Sequence, residues 1–126
     1  INVSFIFFIY TIKKLSNIVG PSFAKEIFFT ARQFDAEEAR TMGLVNRVMP
    51  AENLEAYVND YAERIAANAP LTVGQVKLTV GEILKDPDER NLAACDAAVS
   101  QCFDSKDYVE GRRAFMEKRT PQFTGE

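Results

Sequence analysis

Positive charge and aromatic carbon come together at one place in this sequence. Arg112, Arg113, Lys118 and Arg119 crowd into eight residues, interleaved with Phe115 and Met116, in a chain of formal charge −3. Two readings fit them. Cations near a helix C-terminus complement the partial negative charge of its last carbonyls. Alternatively, an ammonium for phosphate and a ring for adenine would make a site for a phosphorylated aromatic ligand. Composition and spacing leave both open.

Other candidate groups carry less chemistry. Glu37 and Glu38 are adjacent carboxylates, but neighbours on a helix point about 100° apart, which suits capping and dipole compensation better than acid–base work. Glu52, Glu55, Asp60 and Glu63 fall on or beside the polar side of a predicted helix and read as a solvated face. The sequence has no His, so no His-based triad, proton shuttle or metal site can be built from these residues. Cys95 and Cys102, the two cysteines, stand two helical turns and about 10 Å apart. That is too far for a disulfide and the wrong spacing for zinc, so they read as free thiols of a reducing compartment. No catalytic residue, metal ligand or separate cofactor is assigned.

The elements that must position these groups are mostly helical. A length of 126 residues suits one domain with a modest core, and 47% hydrophobic with 26% charged residues is the balance of a globular protein. A net charge of −3 argues against nonspecific nucleic-acid binding, which needs a basic face. The apolar stretch Val3–Ile12 is too short to span a bilayer, which takes about 20 residues, and lacks the flanks of a signal peptide. It reads as a buried strand or as sequence foreign to the fold.

Beyond it, Lys13–Val19 predicts a short helix with Leu15, Ile18 and Val19 on one side, ending at Gly20-Pro21. Ser22 can cap the next, with Phe23, Ile27 and Thr30 on one face and Ala24 and Phe28 beside them. Asp35 and Glu38 have the spacing of a capping box for a two-turn helix that Gly43 would close. Leu44–Val48 reads as a short strand stopped by Pro50. From Ala51 onward the periodicity is helical. Leu54, Tyr57, Val58, Tyr61, Ala62, Ile65 and Ala66 make a stripe that should be buried. A second helix, about Thr72 to Leu84, would turn Val73, Val76, Val80, Ile83 and Leu84 inward. Asp86-Pro87 would start a third, burying Leu92, Cys95, Val99, Cys102 and Phe103, and Asp104 or Ser105 would cap the last. Thr120–Glu126 should be irregular.

These stretches also carry a resemblance. The run T-A-R-x-F-D-A-E-E-A-x-x-M-G-L-V-N-R-V-x-P resembles the segment following the catalytic core of enoyl-CoA hydratase/isomerase (crotonase) proteins. G-P-S-F-A-K-E before it, A-x-R-I-A-A-N-A-P after it, and F-D-S-K-D-Y-V-E-G-R-R-A-F-M-E-K-R-T-P-Q-F near the end continue the match, from about Leu15 to Gly125. The resemblance implies a mainly α chain, an α+β fragment. Residues 1–14 would be an atypical apolar segment, 15–50 the end of a crotonase-like core with short helices and a short strand, and 51–126 a C-terminal helical trimerisation region.

The implied substrate is an acyl-CoA thioester, with the CoA moiety part of the substrate. Within A-F-x-E-K, Phe115 and Lys118 take the positions that reach the adenine and phosphate of CoA, often in a neighbouring subunit's site. A further aromatic contact of some members falls at Val99 and is not carried over. The oxyanion-hole N–H groups and paired Glu side chains of the family belong to segments preceding G-P-S-F, so this chain is expected to be non-catalytic by itself. The resemblance further implies a trimer or hexamer, no nucleic-acid or membrane partner, and a cytoplasmic or mitochondrial-matrix setting. A non-enzymatic interaction module, or a parent protein with isomerase, dehydratase or thioesterase chemistry, stays open.

Overall fold

The computed structural model describes residues 9–126, which form helices and connections with no strand among them. In chain order these are α1 (Ile9–Thr30), α2 (Ala36–Thr41), α3 (Ala51–Ala66), α4 (Pro70–Ile83), a 3₁₀ turn at Pro87–Glu89, α5 (Leu92–Asp104) and α6 (Lys106–Glu117). They divide into two compact units, one up to Asn53 and one from Leu54 on. Most of the apolar stretch Val3–Ile12 lies outside the described residues. Its last four, from Ile9, are the first turn of α1 and therefore helical, not extended.

In the first unit, α1 is two helices joined across Gly20, whose φ of 78° and ψ of 163° only glycine adopts readily. Pro21 follows, so Ser22 already sits inside a helix and is not its cap. Val19, Ala24 and Met42 form the small core, with Leu15, Phe23, Ile27 and Phe34 packed against it, while Ile18 turns outward. The predicted capping box is present. Asp35 accepts from the Glu38 N–H at 2.8 Å, and Glu38 accepts from the Asp35 N–H at 3.0 Å. Gly43, at φ 80°, closes α2 as expected, with its N–H on the Arg40 carbonyl at 3.1 Å and the Leu44 N–H on that of Ala39 at 2.9 Å. The expected strand at Leu44–Val48 is a correction. The Leu44 and Val45 N–H groups both point back to Ala39, so they serve the helix end and join no ladder.

The second unit reverses an expectation about faces. The stripe of α3 is not covered: Leu54, Val58, Tyr61 and Ile65 are all exposed, and no α3 residue is buried. On α4 the residues drawn inward are Leu71, Gln75, Thr79 and Glu82, whereas Val73, Val76, Val80, Ile83 and Leu84 face out. On α5, Ala94, Cys95, Ala98 and Cys102 are the covered residues, and Leu92, Val99 and Phe103 are exposed. Side chains that are small or can bond along their own helix line the α4–α5 seam; the Gln75 amide donates to the Thr79 hydroxyl at 2.8 Å. The bulkier aliphatic faces point away from it.

The link between α4 and α5 explains a second correction. Asp86 does not cap α5, which starts six residues later behind Asn91, whose side chain accepts from the Ala94 N–H at 3.0 Å. The chain is held extended at Arg90, whose guanidinium donates to the Ile83 and Lys85 carbonyls at 3.0 and 3.1 Å. Those carbonyls belong to the end of α4, where no intrahelical donor remains. Glu82, buried, accepts from the Asn91 N–H at 2.8 Å and from Lys85 at 2.7 Å. These bonds, the Asn91 N–H first, keep its carboxyl below the usual range.

Ser105 caps α6 by accepting from the Tyr108 N–H at 3.0 Å. The residues after α6 have no regular structure, yet they are firmly tied. Asp107, 3% exposed, accepts from the Thr124 and Gly125 N–H groups at 2.7 and 2.9 Å. Glu110 accepts from the Gln122 N–H at 3.0 Å. The tail thus runs back along α6, and the Phe123 ring lies against Gly111, where a Cβ would stand 3.5 Å from it. The compensation for a helix-interior glycine is therefore this ring, not a neighbouring helix.

The end of α6 is left-handed at Lys118 (φ 54°, ψ 41°). Its N–H bonds the Phe115 carbonyl and that of Arg119 bonds Ala114, the arrangement in which glycine is the usual occupant. A side chain there costs about 1 kcal/mol of backbone strain, offset by a few tenths from a cation at a helix C-terminus. Lys118→Gly is therefore expected to raise the unfolding free energy by about 0.5–1 kcal/mol, read from urea titration. Unchanged or lower stability would show that this backbone is unstrained.

Candidate functional site

The cationic cluster on and after α6 does not act as one. Glu110 reaches both Arg113, at 2.6 Å, and Arg119, at 2.6 and 3.0 Å, and Glu117 adds a second bond to Arg119 at 2.6 Å. Arg119 first, then the Gln122 N–H and Arg113, hold the Glu110 carboxyl far below the usual carboxylate range. The same contacts raise the Arg119 guanidinium above its ordinary value. Two of the four cations are spent in this way. Arg112 and Lys118 make no ion pair with any described residue. Positive charge is left where it was concentrated in the sequence, at half the strength the sequence suggests.

Phe115 lies between them, three residues from each, and is 84% exposed. An aromatic ring so open on a helix otherwise rich in charge forms no part of a core. It borders an open cavity of about 600 Å³ lined by α4, α5, α6 and the tail. The walls are mainly apolar: Leu71 from α4, Val99 and Phe103 from α5, Tyr108 and Phe115 from α6, and Phe123 from the tail. Phe103 and Tyr108 meet edge to face with ring centroids 5.2 Å apart. Among the described residues two charged ones line the space, Asp107 and Arg112. Asp107 is occupied by the tail N–H groups. Arg112 keeps its guanidinium 5.8 Å from the Tyr108 ring centroid, a cation–π contact that leaves its donors free. Apolar walls with few polar groups, at this size, are the make-up of a small-molecule site.

The residues singled out in the sequence are therefore placed as follows. Phe115 and Lys118 sit at the same end of α6 with ring and ammonium uncommitted. Val99 lines the same cavity as part of its aliphatic wall. Glu37 and Glu38 serve Arg40 and the capping box. Cys95 is buried and Cys102 lines the cavity, both as free thiols. No group of three His, Cys, Asp or Glu side chains able to hold a metal occurs among the described residues. Asp107, Tyr108 and Phe123 are neighbours in the cavity wall that no local motif announces, because the tail's hydrogen bonds to α6 join residues up to 20 apart in sequence.

The model of the enoyl-CoA hydratase/isomerase family matches residues 4–126. The crotonyl-CoA hydratase of Syntrophomonas wolfei is 35% identical over 111 residues, 88% of this chain and 43% of that protein. The methylmalonyl-CoA decarboxylase of Escherichia coli is 33% identical over 119 residues, 90% of this chain and 44% of that protein. The crystal structure of an enoyl-CoA hydratase/carnithine racemase from Magnetospirillum magneticum superposes with a TM-score of 0.82 at 36% identity, covering 98% of this chain and 46% of that one. The chain thus spans less than half the length of the relatives it matches. Its helices are a mainly α piece of the crotonase fold, and the chain belongs to the enoyl-CoA hydratase/isomerase family.

Proposed function

We propose that this chain is the C-terminal portion of a protein acting on acyl-CoA thioesters. In that protein α6 supplies part of the CoA site, and the outward faces of α3, α4 and α5 bind the rest of the assembly. The observation that carries the reading is the exposed Phe115 ring flanked by Lys118, an unpaired cation. The ring offers a stacking surface for adenine and the ammonium a partner for the 3′-phosphate. Hydration of a 2-enoyl-CoA is the proposed reaction of the whole protein. Two backbone N–H groups would stabilise the thioester enolate, and paired Glu side chains would handle water and proton. All of these come from segments outside the 126 residues. The relative named as a decarboxylase favours a second reading of the chemistry, a different transformation of an acyl-CoA on the same frame.

The outward apolar faces support the structural half of the proposal. Isolated exposed hydrophobics are ordinary, but Leu54, Val58, Tyr61 and Ile65 on α3, Val73, Val76, Val80 and Ile83 on α4, and Leu92, Val99 and Phe103 on α5 expose apolar side chains on three successive helices, more than a chain ordinarily leaves to water. A trimer or hexamer of the full-length protein is the proposed assembly. Among the described residues no helix is long and apolar enough to cross a membrane. The proposed setting is the cytoplasm or the mitochondrial matrix.

Three outcomes are expected. The chain alone should not consume a short 2-enoyl-CoA, followed by loss of the enoyl-thioester absorbance; turnover proportional to added protein would count against the reading. Size-exclusion with light scattering should show self-association, or co-elution with a full-length family member, whereas a monomer that binds no hydrophobic dye would mark a self-contained fold. Finally, the chain should bind CoA with a dissociation constant of about 1 mM, about −4 kcal/mol, since two contacts offset little of the cost of immobilising a ligand. Phe115→Ala should weaken CoA and dephospho-CoA alike, and Lys118→Ala mainly CoA. Arg40→Ala is the charge control, and equal effects of Lys118→Ala and Arg40→Ala in an NMR titration would return Lys118 to ordinary surface charge.

A further inference from the structure

Within that reading, we infer that Arg112 is a second anion-contacting residue of the same site. It takes the 5′-diphosphate of the nucleotide whose ring stacks on Phe115, while Lys118 takes the 3′-phosphate. The inference rests on the proposed function and extends it to a residue outside the A-F-x-E-K motif. Its starting point is the division of charge around α6. Glu110 absorbs Arg113 and Arg119, and Lys106 pairs with Glu126 at 2.6 Å. Asp107, the only carboxylate among the described residues lining the apolar cavity, is filled by the tail N–H groups. Of those residues Arg112 is the one charged group on that cavity wall whose donors remain open, and the face of Tyr108 supports it.

Register then matters. Arg112 precedes Phe115 by three residues of α6, so the two are neighbours on the helix surface about 4.5 Å apart along its axis, and Lys118 follows by three at the left-handed cap just past the helix end. A 3′-phosphorylated adenine nucleotide has the matching layout. Its base is flat, and its two anionic groups leave the ribose in different directions, a monoester at the 3′ oxygen and a diphosphate at the 5′ oxygen. A ring between two cations is the complement of a base between two phosphates. The chemistry of the side chains distinguishes the ends. Guanidinium presents a planar fork that bonds two phosphate oxygens at once and suits the diphosphate, whereas an ammonium is a point charge suited to one terminal monoester.

The test is a cross of variants against fragments of the ligand, using the full chain and amide NMR titration. The probes are adenosine 3′-monophosphate, ADP, dephospho-CoA and CoA. Arg112→Gln, which keeps most of the stem, should weaken ADP and dephospho-CoA by about three- to tenfold and leave adenosine 3′-monophosphate within about twofold. Lys118→Ala should do the reverse, weakening adenosine 3′-monophosphate and sparing ADP. Arg112→Lys should recover part of the ADP affinity, because it restores charge without the fork. Superimposable amide spectra of the free variants check that the fold is kept. Should Arg112→Gln weaken all four probes equally or none, while Phe115→Ala and Lys118→Ala behave as stated, the assignment of Arg112 is overturned and the proposed function survives. Should the unaltered chain bind no probe at millimolar concentration, the proposed function fails and the inference with it.

Discussion

A carboxylate buried in a helix flank has to find donors, and Asp107 is such a group. Leaving it unpaired away from water would cost several kcal/mol. Its donors are the N–H groups of Thr124 and Gly125, so meeting that requirement brings the last residues of the chain back along α6. Much of the second unit follows from this return. Phe123 is laid on Gly111 and becomes a wall of the cavity, and Gly125 comes against the Pro70 ring at the start of α4. Glu110, one turn further along α6, repeats the device by taking the Gln122 N–H together with two guanidinium groups. The side of α6 carrying Asp107, Glu110, Gly111 and Ala114 is thereby consumed by the tail. What remains free is the side carrying Arg112 and Phe115.

The parts of this fold legible in the sequence are those decided within a few residues. The capping box of Asp35 and Glu38 and the Ser105 cap depend on side chains meeting backbone three positions away, and the left-handed Gly43 and the break at Gly20 depend on the absence of a side chain. The parts that sequence periodicity misjudged depend on what an element faces. A stripe of valines on α4 states that something should cover it, without naming the cover. Here the adjacent helix takes the opposite face, where Gln75, Thr79 and Glu82 can satisfy one another or neighbouring backbone. Leu44–Val48 has strand-like composition, but a strand is made by its partner, and its first two N–H groups are engaged by α2. The start of α5 moved from Asp86 to Asn91 because Arg90 bonds the end of α4, a contact with no local signature.

The candidate site divides along the same line. Phe115 and Lys118 could be named from a motif that has the right types at the right interval. The difference between Arg112 and its neighbour Arg113 could not, since it depends on the reach of Glu110 across to Arg119. Lys118 adds a conflict between levels: its side chain suits a phosphate while its backbone is in a conformation suited to glycine. That strain is kept in place by the surrounding bonds, here those of the Arg119 N–H to Ala114 and of the Arg119 side chain to Glu110 and Glu117.

The outward faces of α3, α4 and α5 carry one more consequence. Much of the apolar carbon that would ordinarily set the free energy of unfolding lies on surfaces that this chain does not cover itself. A partner bound to those native faces would hold the chain native by mass action. Resistance to heat or denaturant would then rise with the concentration of that partner, on top of whatever the covered residues supply by themselves.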